Sequence, residues 1–321
     1  MRLDSRGVPA ETDERPRIVA VSVTFDRREL VTRLVRAVTA GSVVPDEIVV
    51  VDNASRDDTV AALEALAGEL DVPLRVVRLA SNTGGAGGFH AGLVDFLAGD
   101  ADLVWLMDDD GVPAPDCLEL LLPRVTSGAL DFAGPVVVAE DAPERLCFPI
   151  RLPGGTRVAR DVAGVEAAST DGVVGGVVIP FNGVLLTRDL VQRIGTVEER
   201  FFIWGDDVEY LWRAERDGAR VGTVAAARFA HPATDDLGTP MAFGRTTYNH
   251  SPSDLKHYCM CRNNVANLRT YRGLPWVAAF AAKTVWFYLF TRPDLRRLRM
   301  SLAAMHDGFW GRWGRHERYL R

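Results

Sequence analysis

The stretch Leu103-Val104-Trp105-Leu106-Met107-Asp108-Asp109-Asp110-Gly111 joins five apolar residues directly to three aspartates. A short apolar run of this kind, with Gly111-Val112-Pro113 after the acids, predicts a buried strand that ends in a turn. Three adjacent carboxylates repel one another, so they form either a solvated acidic turn or a site in which a cation neutralises them. Carboxylate oxygens are the ligands that Mg²⁺ and Mn²⁺ select. The triplet alone leaves both interpretations open.

Upstream of the triplet, strand-like and helix-like segments alternate at regular intervals. Apolar runs at 18–23, 47–51 and 74–79 predict strands, and stretches near 30–38, 57–66 and 89–97 predict helices. This alternation is typical of right-handed βαβ units, so it predicts an α/β fold with a mostly parallel sheet covered on both faces by helices.

Polar residues stand at the carboxyl ends of successive predicted strands. They are Thr24, Asp52, Asn82 and the triplet Asp108 to Asp110. Ligands of open α/β sheets bind at that edge. The pattern therefore favours a nucleotide-type pocket over scattered surface turns.

Beyond the triplet the pattern changes. Residues 132–139 and 173–186 predict longer strands, and a Pro/Gly/Arg-rich stretch at 142–172 separates them. Helix-like spacing runs from Asp206 to Asp217. One large α/β domain with an appended segment is the expected organisation for 321 residues.

Charge and cysteine content exclude some classes of protein. The formal net charge is −6, so nothing in it favours nucleic acid as a partner. Four cysteines show no metal-type C-x-x-C spacing, which predicts free thiols in a reducing compartment. The first 17 residues are polar with mixed charge and resemble neither a signal peptide nor a membrane span. We expect residues 1–16 to be a disordered tail and the protein to be cytoplasmic.

The C-terminal region combines apolar and basic residues. Trp276 to Phe290 has Lys283 as its single charge but is shorter than the roughly 20 residues of a membrane span. The last 30 residues carry eight arginines against three acids, with Trp and Phe at helical spacing. This composition favours an amphipathic helix on an anionic membrane surface, and the alternative is a helical pair that packs on the core.

The glycine-rich stretch Ser81 to Gly88 predicts a turn before a helix. Glycine allows a backbone to approach a bulky ligand, and a helix N-terminus presents free N–H groups to an anion. The stretch matches neither the P-loop nor the dinucleotide fingerprint. Placed just ahead of an acidic triplet in the same sheet, it is a candidate diphosphate site.

The stretch Phe201 to Glu209 places aromatic residues beside Asp206 and Asp207 at a predicted helix start. A ring face can stack on a sugar while a carboxylate accepts a hydroxyl proton. The alternative is an N-cap, since aspartate at a helix start satisfies backbone donors. His231, directly before Pro232, is more often structural than a ligand when it stands alone, so its importance depends on whether the fold brings it to the triplet.

These four elements, in this order and spacing, resemble the inverting family-2 glycosyltransferases of the GT-A fold from about Arg17 to Pro232. The stretches 82–89, 104–111, 181–183 and 202–209 look more specifically like galactofuranosyltransferases of actinobacterial cell-wall galactan synthesis, most like the galactan-initiating type. A further similarity is the motif Tyr258…Arg262-Asn263. We therefore divide the chain into the tail 1–16, a GT-A domain 17–250 and a helical basic-aromatic region 251–321.

The resemblance implies a role for each matching residue. Asp207 would be the catalytic base, and Trp204 and Asp206 would bind the acceptor. Many family members have Glu-Asp where this chain has Asp206-Asp207, so the first acid reaches less far. The nucleotide-sugar would be bound by Thr24, Phe25, Asp52, Asn82, Gly84, Gly85, Asp108 and Asp109. The divalent cation, Mn²⁺ or Mg²⁺, would be held by Asp108, Asp110 and His231.

The function implied by the resemblance is metal-dependent, inverting transfer of galactofuranose from UDP-galactofuranose to a polyprenyl-diphosphate-linked glycan, at the cytoplasmic face of the plasma membrane. Single displacement needs one base, and no second, nucleophilic carboxylate is evident. A rhamnosyltransferase using dTDP-rhamnose and a non-catalytic sugar-nucleotide-binding protein are the alternatives. The oligomeric state stays open.

Overall fold

The computed structural model describes residues 15–233 and 238–320, and a large mixed sheet lies at its centre. The strands are β1 (Ile18–Thr24), β2 (Glu47–Asp52), β3 (Leu74–Arg78), β4 (Leu103–Asp108), β5 (Val112–Pro113), β6 (Phe132–Ala139), β7 (Ala142–Arg151), β8 (Val158–Asp161), β9 (Val173–Gly175), β10 (Asn182–Thr187), β11 (Val221–His231), β12 (Thr239–Met241) and β13 (Thr246–Tyr248). The helices are α1 (Arg28–Thr39), α2 (Thr59–Ala67), α3 (Gly84–Ala98), α4 (Cys117–Thr126), α5 (Val162–Ala168), α6 (Arg188–Ile194), α7 (Asp206–Arg216), α8 (Asp254–Asn267), α9 (Leu274–Trp286) and α10 (Leu295–Phe309).

The main sheet has the order β3-β2-β1-β4-β10-β6-β11-β5. Its first four strands run parallel, whereas β10 is antiparallel to both β4 and β6. Helices flank the sheet, and two apolar clusters of buried residues fill its opposite faces. The predicted α/β fold is confirmed, with the parallel part concentrated in the strands before the triplet.

Strand register brings the polar strand ends to one edge. Thr24 pairs with Asp52 at the ends of β1 and β2, and Val23 pairs with Asp108 at the end of β4. Because these strands are parallel, their carboxyl ends must meet at the same edge. All seven residues of β1 are buried, so this strand is covered on both faces.

The glycine-rich stretch was predicted to be a turn, but helix α3 already begins at Gly84. Its glycines allow the helix to lie close to the sheet. A Cβ on Gly88 would stand 2.2 Å from a methyl carbon of Val23, and one on Gly92 would stand 2.5 Å from Val21. Helix–sheet contact is therefore one reason for the glycines, in addition to any approach of a ligand.

Two other segments differ from prediction. The single strand predicted at 173–186 is two strands, because β9 pairs with β11 whereas β10 inserts between β4 and β6. The 142–172 stretch, predicted only as a separator, forms β7, β8 and α5 around an apolar cluster of its own. Long-range strand pairing, which local composition does not encode, decides both outcomes.

The C-terminal helices α8 and α10 pack against each other. The hydroxyl of Tyr258 donates a 2.6 Å hydrogen bond to the buried carboxylate of Asp307. Gly308 lets the two helices touch, since a Cβ there would stand 2.0 Å from the carbonyl oxygen of Arg262. Of the two alternatives for the basic segment, packing on the core therefore holds for α10.

Helix α9 differs from α8 and α10 in that little of it is buried. Together with the π-helical turn that follows, it forms the segment Leu274–Thr291, which is long and apolar enough, by length and composition alone, to cross a membrane. Its mean hydropathy is 1.2, and only 17% of it is buried. The helical stretch is thus longer than the apolar run predicted from Trp276 to Phe290.

The remaining expectations concern the ends of the chain and the thiols. The predicted tail 1–16 lies outside the described residues except for Arg15 and Pro16, and Arg15 pairs with Asp46 at 3.0 Å. The division at residue 250 stays a prediction. All four cysteines are buried free thiols, as predicted.

Candidate active site

The acidic triplet lies at the end of β4, and its carboxylates accept hydrogen bonds from side chains elsewhere in the protein. Asp109 is only 4% exposed, and one of its oxygens accepts a 2.8 Å hydrogen bond from the Thr24 hydroxyl. The Arg27 guanidinium donates to Asp109 at 2.8 Å and to Asp110 at 3.0 Å. Thr24 and Asp109, both expected to bind the nucleotide-sugar, therefore bind each other in this structure.

Strand β5 explains how His231 reaches the triplet. This strand follows the acids directly and pairs with the end of β11, with Ala230 opposite Val112. Nε2 of His231 consequently lies 3.2 Å from Oδ1 of Asp110. Nδ1 lies 2.9 Å from the carbonyl oxygen of Pro232, which can only accept, so Nδ1 carries a proton. The fold thus brings His231 next to the triplet, which its position in the sequence alone did not predict.

The three carboxyl groups titrate differently. Burial, followed by the charges of Asp110 and Asp109, raises the pKa of Asp108 well above its usual value. Burial also raises the pKa of Asp109, against the opposing effects of Arg27 and Thr24. Burial opposes ionisation of Asp110 as well, but His231 and Arg27 outweigh it and lower that pKa. Asp110 is therefore the member of the triplet that stays ionised most readily.

His231 responds in the opposite sense. Burial lowers its pKa, but contacts with Asp110 and with the thiol of Cys147 outweigh burial and raise the pKa to about 10. Together with Arg27, the imidazolium neutralises much of the charge of the triplet. The acids at this edge thus require cationic partners, as expected for carboxylates removed from water.

The donor set is compatible with a divalent cation shared with a ligand. Within residues 15–233 and 238–320, no three His, Cys, Asp or Glu side chains are arranged to hold a metal ion by themselves. Mg²⁺, however, commonly binds through one or two carboxylates plus substrate phosphates. The carboxylates of Asp108 and Asp110 fit that arrangement. Nε2 of His231 fits it once the imidazolium has released its Nε2 proton, with Nδ1 held by the Pro232 carbonyl oxygen.

The predicted diphosphate side is organised by a residue that the sequence analysis did not select. Asn53, at the end of β2, is buried and donates a 2.8 Å hydrogen bond to the Gly84 carbonyl oxygen. Its own carbonyl oxygen accepts from the backbone N–H of Thr83 at 2.8 Å. Asn82 in turn accepts from the Gly84 N–H at 2.8 Å. These bonds hold the start of α3 beside the ends of β1 and β2.

The other predicted nucleotide residues surround this arrangement. Asp52 is buried and accepts from the Ser55 N–H at 3.2 Å. Phe25 is half-buried, with the Arg56 guanidinium 5.5 Å from its ring centre. A Cβ built on Gly85 would meet no atom within 4 Å, so this position faces open space. It is the glycine of the stretch that best fits approach by a ligand.

The acid pair, Asp206 and Asp207, begins helix α7. Gly205 occupies the N-cap position with a left-handed φ of 85°, so neither aspartate is the cap residue. Asp206 is 7% exposed, and Trp204 beside it is 37% exposed. The preceding segment touches the start of α3, where the Ala86 N–H donates to the Phe202 carbonyl oxygen at 3.1 Å. The glycine-rich helix and the acid pair are therefore adjacent.

Burial controls the ionisation of this pair too. It raises the pKa of Asp206, and the charge of Asp207 adds to that effect. Burial also raises the pKa of Asp207, while backbone N–H groups at the helix start oppose it. The charge of Asp206 makes a smaller contribution to the raised pKa of Asp108. Of the two α7 acids, Asp206 is thus the one that influences the triplet.

The structure brings most of the predicted site residues to one edge of the sheet. Direct contacts link the triplet to Thr24 and His231, and electrostatic interaction links it to Asp206. Sequence analysis missed Arg27 and Asn53. Asn53 follows β2 directly and Arg27 lies in the turn between β1 and α1, and these positions after the first two strands are the signal that could have identified them.

Comparison with known proteins shows the family of the chain. Residues 20–184 match the family described as Glycosyl transferase family 2, which covers half of the chain. Galactofuranosyltransferase GlfT1 of Mycolicibacterium smegmatis is 33% identical over 95% of this chain and 98% of its own length. The protein of the same name from Mycobacterium tuberculosis H37Rv is 33% identical over 88% of this chain and 91% of its own.

Solved structures share the fold at low sequence identity. GalNAc-T7 with UDP, GalNAc and Mn²⁺ aligns with a TM-score of 0.62 at 12% identity, over 93% of this chain and 56% of that chain. The mannosyltransferase PcManGT from Pyrobaculum calidifontis, with GDP-Man and Mn²⁺, gives 0.56 at 15% identity, over 96% and 79%. TarS 1-349 of S. aureus with UDP-GlcNAc gives 0.57 at 13% identity, over 91% and 80%. With the family match and the GlfT1 relatives, these observations lead to one conclusion: the chain is a glycosyltransferase that belongs to glycosyl transferase family 2.

Proposed function

We propose that this chain transfers galactofuranose from UDP-galactofuranose to a polyprenyl-diphosphate-linked glycan acceptor, with inversion at the anomeric carbon. The observation that carries the proposal is that the start of α3 contacts both acidic sides of the site: Asn53, next to the strand ends, bonds to Gly84, and the Ala86 N–H donates to the Phe202 carbonyl oxygen just before the acid pair. The choice of donor sugar rests on the relatives, which are galactofuranosyltransferases and which this chain matches over nearly their full length. Solved neighbours with UDP or UDP-GlcNAc support a UDP-linked donor.

The acid pair supplies the base. In a single displacement, one carboxylate takes the proton of the attacking hydroxyl, and no protein nucleophile is needed. Asp207 has this role in the proposal, with Asp206 and Trp204 holding the acceptor. A raised pKa suits a general base, because proton transfer is most effective when that pKa approaches the working pH.

The triplet would act at the leaving group, where negative charge has to be neutralised. Asp108, Asp110 and His231 would hold Mn²⁺ or Mg²⁺, which when bound neutralises charge on the departing diphosphate. The Mn²⁺ in two neighbours supports this reading of the cation. Thr24, Phe25, Asp52, Asn82, Gly84 and Gly85 would form the nucleotide side of the same pocket.

Two alternatives remain to be tested against this function. A rhamnosyltransferase would use dTDP-rhamnose with the same acids, and a non-catalytic protein would bind a sugar nucleotide without turnover. The full set of Asp207, the triplet and His231 argues against a non-catalytic role, since binding alone does not require a base.

Donor choice is tested by incubating the protein and Mn²⁺ with UDP-galactofuranose or dTDP-rhamnose, together with a rhamnosyl-lipid analogue. We expect mass spectrometry to show the acceptor enlarged by one anhydrohexose from UDP-galactofuranose alone. A deoxyhexose product from dTDP-rhamnose would select the rhamnosyltransferase. Binding of either donor without product or hydrolysis would select the non-catalytic protein.

The assignment of the base is tested with Asp207→Asn, which keeps the shape of the side chain but cannot accept a proton. We expect kcat for transfer to fall by at least about 100-fold with little change in the Kd of the UDP-sugar. Asp206→Asn should mainly raise KM for the acceptor. Loss of turnover in Asp206→Asn with an active Asp207→Asn would reverse the two assignments, and two active variants would remove the pair from the mechanism.

We also propose that the protein works at the cytoplasmic face of the plasma membrane and docks through α9. The choice of α9 over α10 follows from their surfaces. Two of the three arginines of α10 are held within the protein, since Arg297 is buried and bonded to Ser251, and Arg296 pairs with Asp254. Three large apolar side chains are exposed on α10 and the residue after it, whereas five are exposed on α9 and the turn after it. The five are Leu274, Trp276, Trp286, Leu289 and Phe290. Exposed Trp and Phe on one helix are typical of interfacial binding.

Membrane docking is tested by the double variant Trp276→Glu, Phe290→Glu in a flotation assay with anionic phospholipid vesicles. We expect the bound fraction to fall by about tenfold or more, because two charges replace two apolar anchors. Phe243→Glu is the matched control, since Phe243 is 98% exposed but lies outside α9. Equal losses in both variants, or no binding by the wild-type protein, would contradict docking through α9.

A further inference from the structure

The 201–205 segment, Phe201 to Gly205, carries the chain into helix α7 through an unfavourable backbone path. Phe202 and Trp204 have positive φ values of 65° and 72°, and Gly205 follows at 85°. L-residues rarely adopt this left-handed region, so surrounding contacts must impose it. Because Asp206 and Asp207 follow directly, the path of this segment determines where both acids stand.

Helix α8 supplies contacts that hold the segment. The side-chain nitrogen of Asn263, which is fully buried, lies 3.0 Å from the carbonyl oxygen of Phe201, 3.1 Å from that of Ile203 and 2.7 Å from that of Trp204, so its two hydrogens are shared among three acceptors. One helical turn later, the amide of Asn267 donates to the Gly205 carbonyl oxygen at 2.7 Å. Two asparagines on one face of α8 therefore bond to four carbonyl groups of the segment.

The orientation of the Asn263 amide is itself fixed. Its oxygen accepts a 2.8 Å hydrogen bond from Nε of Arg262, which leaves the NH₂ group facing the segment. Arg262 is fully buried and donates to the Phe201 carbonyl oxygen at 2.8 Å. Its guanidinium lies 4.9 Å from the ring centre of Trp313 and 3.0 Å from Nδ1 of His316. Residues near the C-terminus thus help to set the asparagine.

The opposite side of the segment is held by α3. The Ala86 N–H donates to the Phe202 carbonyl oxygen, and a Cβ on Gly84 would stand 2.0 Å from that same oxygen. The segment is therefore confined between the start of α3 and the asparagine face of α8. In the described part of the chain, the side-chain hydrogen bonds of both asparagines go to the backbone of the segment and to Arg262, not to the acids.

We propose that Asn263 and Asn267 are positioning residues, which fix the 201–205 segment so that the acids of α7 face the acceptor hydroxyl. This inference rests on the proposed function of the same site. Replacing the donors would let the segment relax and would displace the acids. A displacement of about 1 Å in a reacting group can lower the rate about 100-fold without loss of donor binding.

The test compares Asn263→Asp and Asn267→Asp with Asn264→Asp. The changes at Asn263 and Asn267 keep the side-chain size, remove the NH₂ donors and place a carboxylate against carbonyl oxygens. Asn264, on the same helix, makes no hydrogen bond to the 201–205 segment in the described part of the chain, so it controls for added charge. We expect kcat for transfer to fall about 10- to 100-fold in the first two and to stay within about twofold in the control.

Two further readouts separate positioning from general damage. The Kd of UDP in the presence of Mn²⁺ should stay within about twofold of wild type in all three variants, because within the described residues neither Asn263 nor Asn267 bonds through its side chain to a residue assigned to the nucleotide. Amide hydrogen exchange of a peptide spanning 201–209 should quicken in the Asn263 and Asn267 variants alone. If Asn263→Asp does not fold, Asn267→Asp decides both readouts.

The possible failures are distinguishable. Wild-type kcat together with unchanged exchange at 201–209 in the folded variants would overturn the positioning role while leaving the proposed function intact. An inactive wild-type protein would overturn the proposed function, and the exchange measurement would still decide whether the asparagines hold the segment. Equal losses of UDP affinity and of kcat would also count against positioning, since they indicate a general collapse of the site.

Discussion

Mutual repulsion among buried carboxylates is the constraint on which this site depends. Three consecutive aspartates stand where β4 leaves the core, and the charge of Asp206 adds to their repulsion at Asp108. Such a cluster is stable only with compensating positive charge, which Arg27 and His231 supply in this structure. A pocket organised in this way is suited to a divalent cation and the diphosphate that accompanies it.

The second requirement is a rigid path for the backbone that carries the acid pair. The glycine-rich start of α3 contacts the 201–205 segment on one side, and α8 bonds to its carbonyl groups on the other. Helix α8 is in turn covered by α10 through Tyr258, Asp307 and the close contact at Gly308. The C-terminal region is therefore built into the support of the 201–205 segment, while α9 keeps its apolar surface exposed.

Much of this arrangement could be predicted from sequence because it is local. Alternating strand and helix patterns locate the parallel strands, and their carboxyl ends locate Thr24, Asp52 and the triplet. Contacts between distant segments could not be predicted in this way. The approach of His231 depends on the pairing of β5 with β11, and the role of Asn53 depends on the start of α3. The insertion of β10 between β4 and β6 likewise reflects tertiary pairing, since an apolar run does not indicate which strands it will pair with.

The central claim is that the acidic edge binds a divalent cation together with the nucleoside diphosphate. Isothermal titration of UDP into the protein, with Mn²⁺ and then with chelator, tests it most directly. The account predicts UDP binding at least about tenfold tighter with Mn²⁺, a difference of about 1.4 kcal/mol, and loss of that gain in Asp110→Asn. Equal UDP affinity in chelator and in Mn²⁺, with an undiminished transfer rate in chelator, would contradict it.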